Sequence, residues 1–338
     1  MNFKRVAIIG VDCISVSIAL GLKAQPEPPE IVGYDAQAVA ADLARAQGAF
    51  DRAERKLDQA CRDADLVIVS VPLSTIRETF AAIAPHLQPG CYVTDTASLK
   101  VPVMRWAEEL LPENVSFAGG HLVPNPAVVG FDPQEGLESA RADLLKEALY
   151  CFTTPHQTSG AEIQAFTELA EALEAQPFFI DVTEHDGLQA GVEGLVDLLT
   201  VALLRATVDT PGWQEMRKFA SHRFAVATEP ADDAHARLSI TFANRENLIR
   251  RLDVLLRELV HLRDLLNLDD AEPLEKTFAA AAKGRARWIE ERNQGMWVKR
   301  GDTTTDRIPT TGDRIGGLIF GERLASRLKK GPDRSRKE

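Results

Sequence analysis

Over the first half of the chain, short apolar runs alternate with amphipathic stretches, the pattern of a parallel sheet with covering helices. Val6-Ala7-Ile8-Ile9 is the first run, and a helix over about 15–23 follows it. Pro26, Pro28 and Pro29 then break the chain before a second strand, Ile31-Val32-Gly33-Tyr34. Further strands are expected at 66–71 and 91–94, separated by a helix over 74–86. A strand near Tyr150-Cys151-Phe152, a helix over about 161–175 and a strand at Phe178-Phe179-Ile180 complete the α/β part.

The period then changes from two to between three and four. Thr183-Glu184-His185-Asp186 has the spacing of a helix N-cap box, and leucines and valines recur at helical intervals from there to about Thr207. A second such pattern covers 231–266, with Leu238, Phe242, Leu248, Leu252, Leu255, Leu259 and Leu262 on one stripe that needs a partner surface. The expected fold class is therefore α/β plus all-α. A Rossmann-type parallel sheet with helices on both faces occupies 1–182, a helical domain 183–293, and a loop-rich basic tail 294–338.

The composition narrows the function. With 338 residues, 45% of them hydrophobic and 26% charged, the chain can bury a core large enough for two domains. A formal charge of -11 argues against nucleic acid or an anionic membrane surface as the main partner. Met1-Asn2-Phe3-Lys4-Arg5 leads into an apolar stretch that Asp12 soon interrupts, so neither a signal peptide nor a membrane span is expected. Cys13, Cys61, Cys91 and Cys151 lie far apart without C-x-x-C spacing, which fits a reduced cytoplasmic setting and no metal site.

A dinucleotide-binding loop needs glycine for the tight turn, for backbone approach to the pyrophosphate and for packing helix on strand. The loop here is Gly10-Val11-Asp12-Cys13-Ile14-Ser15, in which only Gly10 keeps the pattern. Asp12 stands at the second position, so a carboxylate would meet the pyrophosphate at the helix N-terminus. Two unit charges about 4 Å apart repel by about 4 kcal/mol at an effective dielectric near 20, roughly three orders of magnitude in affinity, unless the side chain or the ligand shifts. Asp35, at the end of the second strand, has the type and approximate spacing of the carboxylate that accepts from a ribose 2′-hydroxyl, favouring NAD over NADP; the alternative is that it caps the following helix.

Four blocks then point to a family. Ala64-Asp65-Leu66-Val67-Ile68-Val69-Ser70-Val71-Pro72, Val93-Thr94-Asp95-Thr96-Ala97-Ser98-Leu99-Lys100, Gly119-Gly120-His121 and Glu184-His185-Asp186 resemble, in order and spacing, successive blocks of the prephenate and arogenate dehydrogenases. Asn244-Arg245-Glu246, followed by Leu252-Asp253, resembles that family's helical dimerisation domain, so the resemblance runs over about 3–290. It implies an NAD(P)-dependent oxidative decarboxylation of prephenate or arogenate in tyrosine biosynthesis, performed by a homodimer joined through its helical domain. It implies His121 as the catalytic histidine and Ser98 as its helper. Gly10, Asp12, Ile14, Asp35, Val71, Pro72 and Ser98 would face the cofactor, and Lys100, Gly194 and Lys218 the substrate. An imidazole suits the acceptance of a hydroxyl proton because its ordinary pKa lies near working pH. His185 is assigned to helix initiation.

Several positions depart from the family pattern. Leu122 replaces the usual proline after the histidine, and Glu193-Gly194-Leu195-Val196-Asp197 stands where the family carries Ser-His-x-Pro-His. Trp213-Gln214-Glu215-Met216-Arg217-Lys218 replaces Phe-Arg-Asp-x-Thr-Arg, so Lys218 keeps the arginine's charge but not its bidentate fork. Because these changes fall at ligand contacts, a second reading is a family member with impaired catalysis that serves as a binding or regulatory module.

Overall fold

The computed structural model describes residues 3–125, 128 and 136–294. Its first part is built on eight strands: β1 (Arg5–Ile9), β2 (Glu30–Tyr34), β3 (Arg52–Ala53), β4 (Leu66–Val69), β5 (Tyr92–Asp95), β6 (Ser116–Val123), β7 (Leu149–Thr153) and β8 (Gln176–Phe179). They form one sheet in the order β3-β2-β1-β4-β5-β6-β7-β8. All neighbours are parallel except β6 and β7, which pair antiparallel with His121 opposite Cys151. The expected parallel sheet thus holds from β3 to β6, and β7 and β8 extend it in the opposite direction.

Alternate residues of the central strands enter two separate cores, which is why these strands are apolar at every position rather than every second one. Val6, Ile8, Leu66 and Ile68 face one side, against Val16 and Ile18 of α1 (Cys13–Lys23) and Phe166 of a later helix. Ala7, Ile9, Val67 and Val69 face the other, against Ile76 and Phe80 of α4 (Leu73–Ile83). Between those helices in the chain lie α2 (Ala38–Ala46) and α3 (Leu57–Cys61); α5 (Val101–Leu110) and α6 (Gly160–Ala172) follow. The sheet order reverses at β1, flanked by β2 and β4, and in such sheets ligands bind outside the carboxyl ends of the strands at that point.

Beyond β8 the described chain is helical. α7 (Val182–Gln189), a π-helical turn (Ala190–Gly194) and α8 (Leu195–Thr207) make one long continuous rod. Its N-cap is Asp181, which accepts from the backbone N–H groups of Thr183 and Glu184 at 2.9 and 3.2 Å, so the N-cap box expected at Thr183 is not used. By length and composition alone this rod meets the measure of a membrane span, as core helices of globular domains also do, and Leu188, Val192, Val196 and Leu199 leave an apolar stripe on it uncovered.

The helices α9 (Trp213–Met216), α10 (His222–Thr228), α11 (Ala234–Ala243), α12 (Arg245–Leu266) and α13 (Glu272–Asn293) follow. The apolar pattern expected to run unbroken over 231–266 is interrupted at Asn244, which bends out of helical geometry between α11 and α12. Of its stripe, Leu248 is buried, whereas Leu238 and Phe242 are 63% and 66% exposed. Helical period identifies an apolar face but not what covers it. The expected tail lies outside the described residues except for Gln294.

Candidate functional site

The loop from β1 to α1 lies at the sheet's switch point. Gly10 has φ +94°, and a Cβ there would lie 1.9 Å from the carbonyl oxygen of Ser70, so only glycine permits the turn to pass under the end of β4. Asp35 follows β2 directly. One carboxylate oxygen accepts from the Val11 N–H at 2.9 Å and the other from the Gln37 N–H at 2.7 Å. It therefore does not cap α2, whose N-cap Gln37 makes no side-chain capping bond. Val71 and Pro72 lead from β4 into α4 beside Gly10, and Ile14 packs on the first core.

Asp12 caps α1 on itself. Its Oδ1 accepts from the Ser15 N–H at 2.7 Å, and the Ser15 hydroxyl accepts from the Asp12 N–H at 2.9 Å, a reciprocal capping box. The other oxygen, Oδ2, accepts from the Ser70 hydroxyl at 2.9 Å, and Ser70 Oγ lies 2.7 Å from Thr96 Oγ1. A polar chain thus crosses the carboxyl edge of β1, β4 and β5. The turn, the helix N-terminus and Asp35 fit a dinucleotide, with Asp12 and Ser15 in place of two glycines of the usual loop, so that the helix terminus already holds an anion belonging to the chain.

The segment after β5 links this loop to a second cluster. Thr96 closes the polar chain, Ser98 lies half-buried two residues on, and Lys100 ends the segment with its ammonium fully buried. Lys100 Nζ donates to Asp95 Oδ2 at 2.5 Å and to the Gly120 carbonyl at 2.6 Å, while the Gly120 N–H donates to Asp95 Oδ1 at 3.1 Å. A Cβ on Gly120 would lie 2.5 Å from the Asp95 carbonyl oxygen, which accounts for the glycine. Burial drives the Asp95 carboxyl up and the Lys100 ammonium down from their ordinary values, and the contact between them opposes both shifts. Lys100, expected at the substrate, stands as a brace beneath β6: its ammonium has no exposed surface, and a carboxylate and a carbonyl take two of its three N–H donors.

One residue further along β6 stands His121, whose Nδ1 is 3.0 Å from Nε2 of His185. His185 Nδ1 in turn lies 2.8 Å from Asp186 Oδ1, and the Asp186 carboxylate also accepts from the N–H groups of Lys100 and Val101 at 2.8 and 2.9 Å. Those two donors fix the carboxylate at the N-terminus of α5, and Asn244 Nδ2 holds the Asp186 carbonyl at 2.8 Å. With the Asp186 carboxylate accepting from His185 Nδ1–H, His185 Nε2 can accept from His121 Nδ1–H, the tautomer that keeps a lone pair on His121 Nε2. Burial first, then the neighbouring His185 and the Lys100 charge, hold the His121 pKa well below 6.5. Gln189 Nε2, a donor, lies 3.1 Å from Nδ1 and 3.5 Å from Nε2 of the same ring, and in this tautomer only Nε2 can accept from it.

Placing His185 at helix initiation is thus corrected: Asp181 does that work, and His185 is buried against His121. His185, Gln189 and Asn244 were not singled out as site residues. For His185 a signal existed, since it sits within one of the four blocks; Gln189 carried none. Gly194 packs in the π-helical turn, where a Cβ would meet Leu248 at 2.6 Å, so its lack of a side chain serves helix packing. Lys218 lies on the surface, paired with Glu215 at 2.6 Å, and no hydrogen bond joins it to the His121 cluster. All four cysteines are buried, and burial pushes the thiols of Cys61, Cys91 and Cys151 up to about 12, which makes them inert. No group of His, Cys, Asp and Glu suited to a metal occurs among the described residues.

Comparison with known proteins gives a consistent picture. Residues 18–178 match the family model described as prephenate dehydrogenase, nucleotide-binding domain, and residues 181–280 that described as prephenate dehydrogenase, dimerization domain. A prephenate dehydrogenase of Lactococcus lactis is 27% identical over 286 residues, 83% of this chain and 77% of its own. A cyclohexadienyl dehydrogenase of Zymomonas mobilis is 25% identical over 286 residues, 84% of this chain and 95% of its own. Among solved structures, a prephenate dehydrogenase from A. aeolicus in complex with hydroxyphenyl propionate and NAD+ has the same fold, with TM-score 0.73 and 22% identity over 86% of this chain and 99% of that one. The Synechocystis arogenate dehydrogenase gives 0.68 and 20% over 84% and 99%.

Proposed function

The chain belongs to the prephenate dehydrogenase family, NAD-dependent dehydrogenases of tyrosine biosynthesis, and we propose that His121, backed by His185 and Asp186, is the group that accepts the ring-hydroxyl proton of prephenate or arogenate. The single observation that carries this reading is the hydrogen-bonded order from Asp186 through His185 to His121, which leaves His121 Nε2 as a proton acceptor. A depressed pKa keeps that nitrogen deprotonated at neutral pH.

When bound, NAD would accept the hydride of the carbinol carbon. The hydroxyl proton would pass to His121 Nε2 as the carbinol becomes a carbonyl; loss of the ring carboxylate as CO2 returns an electron pair to that oxygen, which takes the proton back from His121 to give the phenol. The positive charge gained by His121 is shared along the chain toward Asp186, whose carboxylate two backbone N–H groups hold in place. Ser98, on the segment between the two clusters, is suited to orient the same hydroxyl. Gly10 and Asp35 would hold the adenosine half of the cofactor, with Val71 and Pro72 along the crevice.

The partner is a second copy of the chain, joined through the helical part. The uncovered stripe of Leu188, Val192, Val196 and Leu199 lies within the segment that matches the dimerization domain. The test is calorimetric titration with NAD and with NADP, followed by an assay for reduced cofactor with prephenate and with arogenate. Turnover with either substrate and NAD is expected; binding of NAD without turnover of either would favour the binding-module reading.

A further inference from the structure

The β1–α1 loop holds a carboxylate where the dinucleotide-binding pattern has its second glycine. Asp12 has both oxygens engaged, one by the Ser15 N–H of the first turn and the other by the Ser70 hydroxyl. In this fold the pyrophosphate takes its hydrogen bonds from that same helix terminus. A side chain and a ligand cannot both accept from one N–H, and two anions side by side there repel. Cofactor binding at this terminus is therefore opposed by Asp12 unless its carboxylate moves aside. Only one of its two anchors competes with the cofactor.

We propose that Asp12 is an internal anion that the dinucleotide displaces, and that the Ser70 and Thr96 hydroxyls are the place where the displaced carboxylate is kept. The inference rests on the dinucleotide reading above. Rotation about the Asp12 side chain surrenders Ser15 while Oδ2 retains Ser70, whose hydroxyl is itself fixed 2.7 Å from Thr96 Oγ1. The chain thus pays part of the binding free energy to break its own helix cap, while the bond to Ser70 is common to both states.

The experiment is calorimetric titration of the full chain with NAD+, for the wild type and the variants Asp12→Gly, Asp12→Asn, Ser70→Ala and Asp12→Gly with Ser70→Ala. Glycine is tolerated at an N-cap, so the first variant keeps its fold, which a thermal melt checks. Asp12→Gly should tighten binding by at least about tenfold. Asp12→Asn should gain less, because its amide drops the charge yet still accepts from Ser15. Ser70→Ala removes a bond that Asp12 Oδ2 keeps before and after displacement, so it should leave the affinity within about twofold in both backgrounds.

An Asp12→Gly affinity equal to wild type would overturn the inference. So would an Asp12→Asn gain as large as that of Asp12→Gly, or a Ser70→Ala change in affinity that appears with Asp12 present and is absent from the Asp12→Gly background. In each of those cases binding itself is seen, and the dinucleotide reading stands. Absence of binding by every protein, including Asp12→Gly, would overturn that reading and the inference together.

Discussion

His121 and His185 meet edge to face, with ring centroids 5.1 Å apart and planes at 81°, so that a nitrogen of one ring points at a nitrogen of the other. They come from elements 64 residues apart in the chain, a strand that ends the parallel sheet and the first turns of the helical part. The pairing ties the tautomer of His121 to a carboxylate it does not touch.

Removal of the intermediate histidine is expected to act on the chemical step. His185→Phe leaves His121 without a fixed tautomer, and kcat should fall roughly 10–100-fold with little change in the KM for substrate. His121→Asn, which deletes the acceptor, should cost roughly 10²–10⁴-fold. Steady-state kinetics with NAD and prephenate decide the order; a His185→Phe enzyme with unaltered kcat would remove the relay.

The depressed pKa of His121 fixes the direction of the pH dependence. A base that stays deprotonated well below 6.5 places the acid limb of kcat/KM below that pH, not at it. Stability follows the same sign. The unfolded chain takes up a proton on this histidine near pH 6.5 and the folded chain only at lower pH, so the contribution present above 6.5 is lost as pH falls toward the folded value. Tm measured between pH 8 and 5 should decline on the acid side, and His121→Asn should flatten that decline.

The Lys100 brace is expected to be structural. Lys100→Met leaves the Asp95 carboxylate buried without its partner, which should cost about 3–5 kcal/mol of unfolding free energy in urea titrations. Gly120→Ala forces a Cβ against the Asp95 carbonyl and should cost about 1–3 kcal/mol by overpacking. A Lys100→Met protein of wild-type stability with a raised substrate KM would return Lys100 to the substrate site.

The apolar stripe on α7 and α8 predicts self-association. Sedimentation equilibrium at micromolar concentration should give a dimer, and Val196→Glu, a charge on an uncovered apolar face, should shift it toward monomer. A dimer indifferent to Val196→Glu would place the interface elsewhere.

Sequence alone determined what depends on local order. Runs such as Val6–Ile9 and 66–69, apolar at every position, specify central strands because both faces of a parallel sheet are covered. Gly10 before a helix specifies the turn, and the ordered blocks around Ser70, Ser98, His121 and His185 specify the family. The tertiary structure alone decided the partners. Lys100 carries a charge, which in sequence reads as a ligand contact; only the fold buries it on Asp95. His185 lies next to a helix start, and only the crossing of β6 and α7 turns it toward His121. Asp12 reads as a defect until its two oxygens are seen on Ser15 and Ser70. The physical reason is common to all three. A hydrogen bond or ion pair between residues far apart in sequence leaves no periodicity, and its energy depends on distance and burial that exist only once the chain has folded.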